Sequence, residues 1–66
     1  MDVQKRIALY ITDNGIKQSF VADRTGIDKA IISAIMTGKR RMSADEYELI
    51  VKALNKTPND FMLLED

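Results

Sequence analysis

The chain has 66 residues, ten basic and ten acidic, and contains neither Cys nor His. That length suits one domain, residues 1–66, and the missing residue types exclude disulfides, thiolate or imidazole metal sites and imidazole acid–base catalysis. Net neutrality conceals a polarity: residues 1–41 hold eight basic against four acidic side chains, whereas residues 42–66 hold two against six, so phosphates are drawn to the first part and the second faces away.

The signals along the chain are helical, and no run alternates cleanly enough for a strand. A first helix is predicted from about Val3 to Asn14, with Val3, Ile7, Ile11 and Asn14 on one face. Asp2 caps its start, Asn14-Gly15 supplies a left-handed stop, and Ile16 follows as a buried connector. A second helix covers Gln18 to Thr25, with Val21 and Ala22 inward and Lys17 as a poor N-cap. Gly26 ends it, since a residue without Cβ takes positive φ cheaply, and Ile27 fills the inside of the turn. Asp28 caps a third helix from about Lys29 to Thr37, with Ile32 and Ile35 inward and Gly38 as its stop. Ser43-Ala44-Asp45-Glu46 is a capping box that opens a fourth helix, and Tyr47, Ile50, Val51 and Leu54 follow at helical spacing. A last turn begins at Thr57-Pro58-Asn59-Asp60, with Thr57 as cap and Pro58 first in the helix.

Five short helices with no strand make an all-α bundle. Its centre, helix, glycine turn, helix, has helix-turn-helix geometry. Holding the second helix of such a pair at an angle needs a small residue at the crossing (Ala22), a glycine in the turn (Gly26) and aliphatics at Val21, Ile27, Ile32 and Ile35. A helix held that way can enter a groove about 12 Å wide.

Residues 3–61, through "GIKQSFVADRTGIDKAIISAIMTGKRR" and "SADEYELIVKAL", resemble the phage repressor and Cro-type, or Xre-like, helix-turn-helix family. The resemblance implies the lambda repressor-like fold and a sequence-specific, double-stranded-DNA-binding transcriptional regulator. Such a protein is expected to be a repressor that binds an inverted-repeat operator as a homodimer, with the third helix in the major groove. It further implies base contacts from the outer face of that helix, here Lys29, Ala30, Ser33, Ala34 and Thr37, with Ile31 beside them. Backbone contacts fall to Gln18 and Lys17 at the start of the second helix and to Lys39, Arg40 and Arg41 after the third. The family often joins the first and third helices by an ion pair at positions occupied here by Ile11 and Met36. Replacing both charges together exchanges the pair for packing, so these two side chains are expected to meet.

The apolar bulk of Asp60 to Leu64 exceeds what one turn buries, which assigns Phe61, Met62 and Leu64 to core plus dimer interface, with Leu49 as a further candidate. Phe20 and Ile31 fall where partial exposure is expected and suggest a protein-binding patch. The acidic residues Asp45, Glu46 and Glu48 favour a helix start rather than forming a catalytic group. No enzyme activity, metal, cofactor or small-molecule substrate is therefore expected. No apolar run approaches 18 residues and the N-terminal stretch is too charged for a signal peptide, so a cytoplasmic protein without a membrane partner is expected. The alternative is a protein-interaction module on the same fold, such as an antitoxin, antirepressor or regulator subunit, motivated by Ala30, Ile31 and Ala34.

Overall fold

The structure is a computed structural model that describes residues 2–57 and 59–62, with Met62 described in its backbone alone. Five helices follow one another: α1 (Val3–Asp13), α2 (Gln18–Thr25), α3 (Lys29–Met36), α4 (Ala44–Ala53) and α5 (Asn59–Met62). There is no strand among the described residues. Pro58 and Leu64, assigned above to the start of the last helix and to a dimer contact, lie outside the described residues, as does the side chain of Met62.

The core collects Ile7 and Ile11 from α1, Val21 from α2, Ile32 and Ile35 from α3, Ile50, Val51 and Leu54 at α4 and Phe61 from α5. Each of these side chains contributes roughly 1.5–3 kcal/mol when fully buried. Helix α2 packs on α3 and α4, and α1 packs on α3 and α5, so α3 is supported on two sides. Ala22, Ile27, Ile31, Met36 and Tyr47 are half-buried against the same cluster. Ile11 lies in this apolar core and Met36 packs against it.

The buried stripe of α1 runs through Gln4, Ile7 and Ile11, one position away from the predicted start at Val3. Val3 is half-buried, and Asn14 is exposed and closes the helix by donating from Nδ2 to the Tyr10 carbonyl at 2.8 Å. Gln4 is a polar residue in that stripe, only 8% exposed, and both its amide nitrogen and its amide oxygen are hydrogen-bonded. Its Nε2 donates to the carbonyls of Ile35 at 2.9 Å and Arg40 at 2.8 Å, and its Oε1 accepts from the Met42 N–H at 3.0 Å. One amide therefore ties the start of α1 to the end of α3 and to the loop beyond it.

Three helix ends share one geometry. After α3, Lys39 N–H donates to Ala34 O and Gly38 N–H to Ile35 O, with Gly38 at φ +81°. This is the paired bonding of a Schellman motif, which needs a left-handed residue one step past the cap. Gly15 fills the place after α1, and Asn55, at φ 62°, fills it after α4. Asparagine is the non-glycine residue that tolerates it best.

Two expected caps are absent. Asp2 and Asp28 occupy N-cap positions with extended backbone, yet neither carboxylate bonds the helix N–H groups. Asp2 instead lies 3.6 Å from the Arg41 guanidinium, and Asp28 is exposed, where water competes for its oxygens. The α4 capping box forms as expected, with Ser43 Oγ accepting from Glu46 N–H at 3.1 Å and Glu46 Oε1 from Ser43 N–H at 2.9 Å. At α5 the expected roles reverse. The Thr57 hydroxyl accepts no helix N–H among the described residues, although its carbonyl accepts from the Asp60 N–H at 3.0 Å. The Thr57 N–H and hydroxyl both donate to Asp60 Oδ2, at 2.7 and 3.2 Å.

Candidate nucleic-acid interface

The turn between α2 and α3 is locked by more than its glycine. Gly26, at φ +78°, donates its N–H to Ala22 O at 2.9 Å. The Thr25 hydroxyl donates to Val21 O at 2.8 Å and accepts from Ile27 N–H at 3.1 Å. A threonine at the last helical position thus closes the corner, a role sequence reasoning left unassigned.

On α3, Lys29, Ala30 and Thr37 are exposed, and Ser33 and Ala34 are half-buried. None of the three polar side chains bonds to another helix among the described residues. Thr37 Oγ1 donates back to Ser33 O at 3.1 Å or Ala34 O at 3.3 Å, which leaves its lone pairs free to accept. Ile31 turns partly inward onto the core, so the outer face is lined by small and polar groups. Small side chains permit close approach to base edges, and alanine methyls suit thymine methyls.

Three other places in the fold supply cations. Lys17 is exposed and Gln18 half-buried at the start of α2, whose first turn has no side-chain cap. An uncapped helix start presents N–H groups and a positive dipole end, which suit a phosphate. Lys39, Arg40 and Arg41 follow α3 and are all exposed. The loop carrying them is held to α3, because the N–H groups of both Lys39 and Arg40 donate to Ala34 O, at 2.9 and 3.2 Å. Lys5 is the third source, from the first turns of α1. It lines a shallow groove with Asp2, Met36, Thr37, Gly38 and Arg41, so α1 adds a cation beside the end of α3. Sequence reasoning missed it because helix packing, not spacing, brings it there.

The basic cluster after α3 is partly compensated from within the chain. Arg40 Nη1 lies 2.8 and 2.7 Å from the two carboxylate oxygens of Glu46. Arg41 pairs more loosely with Asp2. Lys39 has no ion pair among the described residues. Glu46 titrates below the ordinary carboxylate range because it accepts the Ser43 backbone N–H and, next in size, bonds Arg40. The acidic second half of the chain therefore does not simply face away, since α4 reaches across to the basic loop.

Phe61 goes to the core rather than to a free surface. It is 7% exposed, its ring meets Tyr10 edge-on at 5.5 Å, and its carbonyl accepts from Arg6 at 2.7 Å. Phe20 remains 40% exposed on α2, with the Arg24 guanidinium 4.6 Å from its ring centroid.

A family model described as helix-turn-helix matches residues 7–61, which spans α2, the turn and α3 together with the core helices around them. The chain belongs to this helix-turn-helix family. The family is that of the Cro- and repressor-type, Xre-like proteins, with a lambda repressor-like fold and a role as DNA-binding transcription regulators. Neither a search of curated proteins nor one of solved structures returned a match. Among the described residues no three His, Cys, Asp or Glu side chains are grouped to hold a metal ion. No described helix is long and apolar enough to cross a membrane.

Proposed function

We propose that the protein is a transcriptional repressor that binds a two-fold-symmetric operator as a homodimer, with α3 of each protomer in the major groove. The observation that carries this reading is the outer face of α3. Lys29, Ala30, Ser33, Ala34 and Thr37 make no side-chain bond to another helix among the described residues, while that helix is held from behind by α1 and α2. A rigid helix with an unengaged polar and small-residue face, flanked by cations, has the form of a reading head.

In this reading Lys29, Ser33 and Thr37 bond base edges, and Ala30 and Ala34 pack on methyl groups. Lys17 and Gln18 hold one phosphate at the start of α2, and Lys39, Arg40 and Arg41 hold others past the end of α3. The dimer contact is assigned to Met62 and Leu64, with Leu49, 43% exposed on α4, as a further candidate. The place of action is the cytoplasm, where the operator is. The interaction-module alternative is weaker because Ile31 packs against the core, which reduces its apolar face to two alanines.

Selection of bound fragments from a bacterial or phage genomic pool, followed by gel shifts at rising salt, tests the proposal. Roughly six phosphate contacts per dimer give a log–log salt slope of about −5. A palindromic consensus and a slope of that order support the reading. A flat salt dependence, or fragments without two-fold symmetry, refutes it.

A further inference from the structure

Arg40 is held at both ends. Its carbonyl accepts from buried Gln4 and its N–H donates to Ala34 O of α3, while its side chain pairs with Glu46. Glu46 in turn is anchored, because the same carboxylate closes the α4 capping box on Ser43. The Arg40 side chain is 43% exposed and that of Glu46 only 16%. The carboxylate thus sits on the protein side of the guanidinium and occupies one of its two terminal nitrogens, Nη1, with both oxygens, a charge-assisted contact of the kind a phosphate would make there.

We propose that Glu46 is an internal competitor of DNA phosphate for Arg40, and that the Arg40–Glu46 pair lowers the affinity of the protein for duplex DNA. The inference rests on the DNA-binding reading above and adds a residue that sets binding strength. An arginine already paired with a carboxylate is nearly neutral as a unit. Docking such a unit on the backbone releases no net counterion, whereas an unpaired arginine releases about one. An exposed pair of this kind is only weakly stabilising, so phosphate can open it, but the carboxylate left behind stays close to the DNA. Arg41 is compensated far less, since its side chain is 85% exposed and Asp2 lies 3.6 Å away.

The test is fluorescence anisotropy with a labelled, random-sequence 20-base-pair duplex over a salt series. It compares the unaltered chain with Glu46→Gln, Arg40→Ala, the double variant and Asp45→Asn. Glutamine keeps the capping-box bond to Ser43 but removes the charge. Glu46→Gln is expected to tighten binding about eightfold at 0.1 M salt and to steepen the salt slope by about 0.9, one counterion's worth. In the Arg40→Ala background the gain disappears, and Asp45→Asn, which removes an equal charge that does not pair with Arg40, gives a clearly smaller gain. Equal gains for Asp45→Asn and Glu46→Gln, or a gain that survives Arg40→Ala, overturn the proposal in favour of general repulsion. Weaker binding by Glu46→Gln also overturns it, because Glu46 then orients Arg40 for DNA. A measurement on the unaltered chain guards against an unfolded variant. On titration with duplex, the NMR signals of the Arg40 guanidinium and the Glu46 carboxyl carbon shift in step if the pair opens, and a stationary Glu46 signal counts against it. If no variant and not even the unaltered chain binds duplex at low salt, the DNA-binding reading itself fails, and this inference with it.

Discussion

Gln4 is the residue whose replacement the structure makes most informative. Gln4→Met keeps the length of the side chain and removes all three of its hydrogen bonds. Ile35 O keeps a second donor, the Gly38 N–H at 3.2 Å, so its loss is small. Arg40 O and Met42 N–H lose their partner in a part-buried setting, where each stranded group costs about 1–3 kcal/mol, less where water enters. A total of about 2–3 kcal/mol follows. A domain of this length has an overall stability of roughly 3–10 kcal/mol. The melting temperature is then expected to drop by on the order of 10–20 °C. Urea denaturation followed by circular dichroism reads the loss directly. Gln4→Glu supplies a sharper version, because an ionised carboxylate faces two carbonyls and cannot donate to them. Protonated, it can donate to one. Its pKa is therefore raised by folding, so the variant is closest to the unaltered chain below the ordinary carboxylate pKa and loses stability relative to it as pH rises through the folded value. A Gln4→Met variant within 0.5 kcal/mol of the original, or a Gln4→Glu variant with no added pH dependence, refutes the view that this amide anchors the loop after α3.

Gly38→Ala introduces a Cβ that meets nothing within 4 Å, so its cost is conformational alone, about 1–2 kcal/mol for a left-handed residue; Asn55→Gly relieves the same strain and raises the urea midpoint slightly. Ser43→Ala removes the acceptor that caps α4 and is expected to destabilise by about 1 kcal/mol in the same assay. Folding lowers the pKa of Glu46, chiefly through the Ser43 backbone N–H, and of Asp60, chiefly through the Thr57 backbone N–H. Their contribution is therefore present above the ordinary carboxylate range and lost as pH falls through the lowered values, and Asp60→Asn flattens that acid limb in a pH series of melts. Thr25→Val, which keeps the shape but leaves Ile27 N–H without the hydroxyl, is expected to lower stability by roughly 1–2 kcal/mol and to weaken duplex binding by disturbing the direction of α3; unchanged binding with lowered stability separates the two roles.

The helices and their apolar faces were legible because both depend on near neighbours in the chain. Gly26, Gly38 and the Ser43–Glu46 box mark helix ends by local backbone chemistry, and Val21, Ile32, Ile35, Ile50 and Val51 fall on inward faces by spacing alone. The outer face of α3 followed by subtraction. Caps were less secure, since Asp2 and Asp28 stand in the right places without making the bond, and a carboxylate at the surface has water as an alternative. Gln4 carried a signal that was passed over: a polar residue three and seven positions before Ile7 and Ile11 on a helical stripe belongs to the buried face and needs partners.

Partners of that kind lie far along the chain. Gln4 reaches residues 31 to 38 positions away and Arg6 reaches the Phe61 carbonyl across 55. Periodicity records which side of a helix is apolar, because that is a property of each helix taken singly. It does not record which charge meets which, since Arg40 acquires Glu46, and Lys5 comes beside Thr37 and Arg41, only after the helices have packed. Helix positions and the aliphatic core came from local order in the residues; the net strength of the basic loop and the fate of Phe61 were settled by contacts that exist only in the folded chain.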